Sequence, residues 1–174
     1  MNSRFLLSSF AFAALSGAPL LSTELGSAYC FGTSCPCGND DPTGGCINTS
    51  GVGAQLTALG STSVSAGDLA FRASRLPTSS LSLLVISPNQ RNIPFDDGRL
   101  CVGPGMARMR SHLNSVQTGV VTFDDIYTTY AAYGLVLNAG ETWNAQVWYR
   151  DSSHQGVCGE RANLTNAYTV TLTP

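Results

Sequence analysis

An all-β fold, an antiparallel β-sandwich with a disulfide-tied N-terminal segment, is what this sequence predicts. Three observations carry the prediction. Short apolar runs recur at intervals of about 8 to 15 residues, with Gly, Pro and Asn or Asp between them, which is sandwich spacing. Where a run is long enough to show a period, that period is two, as in a strand. The charged fraction is 11%, under half of the roughly 25% usual in soluble domains, so solubility rests on Ser, Thr, Asn and Gly. The 174 residues suit one folded domain. No repeat of fixed period and no βαβ pattern appears, which disfavours propellers, solenoids and parallel sheets.

Residues 1–28 read as a signal peptide. Arg4 is the one charge before an apolar stretch from Phe5 to Leu15, and the small residues Gly26-Ser27-Ala28 follow. Ser8, Ser9, Ser16 and Pro19 keep the run well short of the ~20 apolar residues a spanning helix needs. Cleavage after Ala28 is expected, with the product secreted or held at the cell surface and carrying no transmembrane span.

Residues 29–51 form a cysteine-rich segment, YCFGTSCPCGNDDPTGGCINTSG, with too few apolar side chains to build a core. Cross-links must hold it. All six cysteines, Cys30, Cys35, Cys37, Cys46, Cys101 and Cys158, lie beyond the expected cleavage point, and an even number in an exported chain reads as disulfides. Zinc is disfavoured, because C-x4-C-x-C-x8-C lacks paired C-x2-C knuckles and no histidine is near. Pro36 alone separates Cys35 from Cys37, so a bond between those two would be strained. Each is expected to pair with Cys30 or Cys46, leaving Cys101 to pair with Cys158.

Residues 52–174 supply the strands. VGAQLTAL, STSV and DLAFRASRL come first, with tight turns at Gly60 and Ala66-Gly67. Leu81 to Ile86 is nearly continuous apolar sequence ended by Ser87-Pro88-Asn89, the mark of a buried strand. Asp96-Asp97-Gly98 signals a turn, RLCV a short strand, and Gly103-Pro104-Gly105 another turn. In Met106 to Leu113, Arg108, Arg110 and His112 alternate, predicting a strand with one wet face, and GVVTFDDI predicts a further strand. Tyr127 to Leu137 is compatible with a short helix or a loop. TWNAQVWYRD sends Trp143, Ala145, Val147 and Tyr149 one way and Asn144, Gln146, Trp148 and Arg150 the other. Tyr168 to Leu172 is the closing strand.

The chain resembles a family of uncharacterised secreted bacterial β-domains, often found as C-terminal modules of larger exported proteins. The likeness rests on CPCGNDDPTGGC at residues 35–46, GRLCVG at 98–103, WNAQVWYRD at 143–151, Cys158-Gly159 and NLTN at 163–166. It implies a secreted β-domain and no enzymatic activity.

The residues themselves offer little chemistry. The nine cationic residues are all arginine and form no basic run, so nucleic acid is not an expected partner. His154 stands beside Asp151, Ser152 and Ser153, but triads are assembled from separate elements, and DSSHQG reads as a polar loop. A small secreted hydrolase is therefore the third-ranked function. His112 is assigned to a solvated face. Glu141 and Glu160 are the glutamates left after cleavage, and nothing sets two carboxylates across a cleft. Calcium is the one cofactor considered, at Asn39-Asp40-Asp41 or Asp96-Asp97, whose oxygens serve equally well as turn formers. Trp148, flanked by Gln146 and Arg150, is the candidate ligand platform, with a glycan or another cell-surface component as partner, although large aromatics in a sandwich are usually core. The leading expectation is a non-catalytic module with a binding or surface-structural role, and a carbohydrate-binding module is the alternative. Asn48 and Asn163 head glycosylation sequons.

Overall fold

The computed structural model describes residues 25–78, 80–108, 114–116, 118–151 and 157–174. The fold is all-β with antiparallel sheets, and one short helix accompanies the strands among the described residues. The expected signal peptide, apart from residues 25–28, and the segments around His112 and His154 lie outside the described residues.

Strand β10, Thr142–Arg150, organises the molecule. It pairs on one side with β4, Ser80–Ser87, and on the other with β12, Ala167–Thr171, and with β11, Ala162–Leu164. The large sheet is completed by β1, Ser27–Tyr29, beside β12, and by β7, Ala107–Arg108, and β8, Asn114–Val116, beside β4. A second sheet has the order β2-β3-β9, from Gln55–Leu59, Ala70–Ser74 and Val121–Phe123.

The period of two in β10 explains how these sheets pack. Trp143, Ala145, Val147 and Tyr149 join Leu84, Ile86 and Val170 from the large sheet, and Leu172 just past β12, in one core. Leu56, Phe71, Ala73, Val121 and Phe123 face them from the second sheet, as a sandwich requires. Phe71 meets Tyr168 edge to face, with ring centroids 6.3 Å apart. The undecided segment after Asp125 contains helix α1, Ile126–Ala132, which buries Ile126, Thr129 and Tyr130. Its end is set by Gly134, whose φ of 74° is left-handed. The Gly134 and Leu135 amides return to the Ala131 and Tyr130 carbonyls, a Schellman ending.

The other face of β10 is dry over its first half, while Trp148 is half-buried and Arg150 exposed. Asn144 and Gln146 are 1% and 0% exposed, because a third layer covers them. That layer is the hairpin of β5, Gln90–Phe95, and β6, Gly98–Val102, together with the cysteine-rich segment. The run QRNIPF gave little strand signal, since its apolar content is low and Pro94 occupies it; β6 supplies the buried Leu100, Cys101 and Val102.

Three disulfides join Cys30 to Cys101, Cys35 to Cys46 and Cys37 to Cys158. The expected Cys101 to Cys158 bond is thus overturned, as is pairing of both Cys35 and Cys37 within the cluster. The physical reason is where the N-terminal segment lies. Leaving β1, the chain passes over β6, where the Tyr29 hydroxyl donates to the Cys101 carbonyl at 3.1 Å. Cys30 is thereby placed at Cys101, while Cys37 reaches the loop after β10. Only the Cys35 to Cys46 bridge is internal to the cluster.

Glycines let this segment pack backbone against backbone. A Cβ on Gly45 would fall on the Leu164 carbonyl oxygen, and one on Gly53 on the Gly45 carbonyl oxygen. Gly45 also donates its amide to the Ala54 carbonyl at 2.8 Å, so neither side of the contact is free to retreat. Gly45→Ala is expected to destabilise by about 3 kcal/mol, the upper range for overpacking. Gly38, with φ of 73° and open space around its Cβ position, is the control, and Gly38→Ala should cost only the ~1 kcal/mol of a left-handed alanine. Urea unfolding of the two variants measures the contrast.

Candidate functional site

Trp148 sits where three layers meet. Its register neighbours are Leu83 on β4 and Leu164 on β11, so the indole rests on an apolar floor. The β5–β6 turn holds one end of the ring: Asp96, in the left-handed region at φ 50°, accepts from the Trp148 Nε1 at 3.2 Å. Asp tolerates that conformation better than most residues. The Arg150 guanidinium stands 5.2 Å from the ring centroid, a cation-π distance.

Beside the indole lies a cleft of about 160 Å³. Leu83, Val85, Trp148 and Leu164 belong to the large sheet, Phe95 and Leu100 come from the hairpin, and Met106 and Arg108 from β7 and the turn before it. The lining is apolar except for Arg108. A slender hydrocarbon group could enter with its anionic end beside that guanidinium, an arrangement typical of small-ligand sites. Phe95 is 37% exposed and stands at the boundary with solvent. A second, broader depression of about 800 Å³ is lined chiefly by Ser and Thr, among them Ser61, Ser63, Thr169 and Thr173.

Of the residues singled out in the sequence, Trp148 and Arg150 are brought together and Gln146 is set apart. The Gln146 Oε1 accepts from the Cys101 amide at 2.9 Å, and its Nε2 donates to the Arg99 and Thr165 carbonyls at 2.9 and 2.7 Å. It is a buried strut under β6. Leu83, Phe95, Leu100, Met106 and Arg108 were not recognised as site residues; period-two alternation in β4 could have flagged Leu83 and Val85 as sharing the Trp148 face.

The acidic runs are built into turns. Asp40 accepts from the Ser34 and Cys35 amides, and Asn39 donates to the Ile47 and Asp97 carbonyls. Burial opposes ionisation of Asp41, yet bonds from the Gly53 amide and from Thr43, with the nearby Arg75 charge, hold its carboxyl below the usual carboxylate range. Glu141 is held low by the Asn138 amide and side chain and by the Trp143 indole. No group of three or more His, Cys, Asp or Glu side chains converges on a metal position among the described residues. Asn48 and Asn163 are both fully buried and hydrogen-bonded, which closes their sequons in the folded protein. Ser152, Ser153 and His154 lie outside the described residues; Asp151 beside them is buried and accepts from the Thr49 amide and hydroxyl.

Every cysteine is in a disulfide, which marks folding in an oxidising, extracellular-type compartment. No helix among the described residues is long and apolar enough to cross a membrane. No known family model, curated protein or solved structure matches the chain.

Proposed function

We propose that the chain is an exported, non-catalytic binding domain, secreted or retained at the cell surface, of the kind its cysteine and WNAQVWYRD motifs resemble. The observation that carries this reading is the apolar cleft beside Trp148, with Arg108 as its one charge. The ligand class it suits is a slender aliphatic or aromatic group with an acidic end, such as an acyl chain or an apolar side chain of a surface component. At about 0.8 kcal/mol per buried methylene, less the cost of immobilisation, affinity on the order of 100 μM is expected, or about −5.5 kcal/mol. Dodecanoate titrated against tryptophan fluorescence tests this. Saturable binding that Leu83→Trp abolishes without lowering the melting temperature supports the proposal. Absence of any change, or binding unaffected by Leu83→Trp, defeats it.

Sugar binding is the second reading, favoured by the partly exposed Trp148 ring under Arg150. The engagement of Gln146 and of the indole nitrogen within the protein weighs against it, since sugar sites need free polar groups near the stacking ring. A glycan array separates the two: a glycan bound by the wild type and lost in Trp148→Ala would replace the acyl-type ligand.

A further inference from the structure

Two aspartates are enclosed where the hairpin turn, the end of β10 and the segment around Cys158 meet. Asp97 is 0% and Asp151 2% exposed. Each uses one carboxylate oxygen. The Asp97 Oδ1 accepts from the Glu160 amide at 3.0 Å, and the Asp151 Oδ1 from the Thr49 amide and hydroxyl, both at 2.8 Å. The Oδ2 atoms of both are buried without a hydrogen-bond partner. A hydrogen bond from the Val157 amide also favours the Asp151 carboxylate, and among the described residues no cationic side chain offsets its burial. The pair shares one neighbourhood: burial foremost, and then the Asp97 charge, push the Asp151 carboxyl above the usual range. The fully buried Tyr149 hydroxyl, which accepts from Asn48 at 3.2 Å, also feels both charges.

Backbone bonds fix the two carboxylates from outside. The Asp97 amide donates to the Ala162 carbonyl and the Asp151 amide to the Arg161 carbonyl. Two like charges buried this way, each with an oxygen unsatisfied, would cost more than a domain can spare. One proton would cancel one charge and leave the other. A dication cancels both and uses both orphaned oxygens, and hard carboxylate and hydroxyl oxygens are calcium's ligands.

We propose that Asp97 and Asp151 form a buried calcium-type cation site through their Oδ2 atoms, with the Tyr149 hydroxyl beside it. Asp97 was considered for calcium from the sequence, but with its neighbour Asp96; the fold gives it Asp151 instead, 54 residues along the chain and just past the end of β10.

The test begins with protein stripped by EDTA at neutral pH. Calcium at about a hundredfold its dissociation constant, which for extracellular modules lies near 10⁻⁴–10⁻³ M, should raise the melting temperature by about 5 °C or more. Asp97→Asn and Asp151→Asn keep the Oδ1 acceptors, so both should fold, melt no lower than stripped wild type and lose the calcium response. Terbium replacing calcium should show luminescence excited through tyrosine, at one ion per chain, in wild type only; this readout decides the matter if an Asn variant fails to fold. A wild-type melting point indifferent to calcium and EDTA overturns the proposal and leaves a shared proton as the remedy. A calcium response that persists in both Asn variants overturns it equally, by placing the ion elsewhere.

Discussion

Replacing Cys30 and Cys101 together by serine lowers the melting temperature by about 10 °C or more. The bond spans 71 residues, and in the chain-entropy model a loop of that length restrains the unfolded state by about 4 kcal/mol. A domain of this size loses roughly 2–4 °C per kcal/mol. The Cys35 to Cys46 bond spans 11 residues, so its removal should cost less, about 3 kcal/mol. Cys158→Ser alone gives an independent check on the pairing. It should free the Cys37 thiol and leave Cys101 bonded, as a non-reducing peptide map will show; a free Cys101 would restore the Cys101 to Cys158 pairing that the structure replaces.

The second large effect is expected at Gln146. Its amide serves the Cys101 amide and the Arg99 and Thr165 carbonyls, and the side chain itself is fully buried. Removing it orphans three backbone groups, each worth ~1–3 kcal/mol when left unpaired. Gln146→Met keeps most of the volume and isolates the polar loss; it is expected to cost about 4 kcal/mol, and Gln146→Ala somewhat more through the added cavity. Urea denaturation measures both. A Gln146→Met protein as stable as wild type would show that water reaches the three groups after all.

What was legible in the sequence follows from physics that acts locally. The alternation in 142–151 placed Trp143, Ala145, Val147 and Tyr149 in one core because a strand's side chains must alternate. The apolar run at 81–86 became β4, and Leu69, Phe71 and Val170 fell into the same core for like reasons. Local pattern could not say what lies over a strand's second face. Asn144 and Gln146 look solvated by type, yet a hairpin made from the unpromising QRNIPF covers them. Likewise β11 is three residues, too short to display a period. The disulfide partners depended on a path over β6 that no spacing encodes. The site was half visible for the same reason: the aromatic floor was in the alternating strand, whereas the walls of the cleft and the partner of Asp97 arrive only with tertiary structure.

The place of β12 in the large sheet bears on the order in which its strands can pair. The strand nearest the start of the described chain, β1, lies against the strand nearest its end, and β12 also fills one side of β10. The expected cleavage after Ala28 falls inside β1, so processing there would leave Tyr29 alone to pair with Ala167, and without residues 167–171 β10 has an open flank. Pairing of such distant segments is slow, because a long loop must close before any contact rewards it. Closing the large sheet is therefore a late, long-range event: until residues 167–171 pair, both the first described strand and one flank of β10 stay uncovered, and Cys30 is not yet held over Cys101.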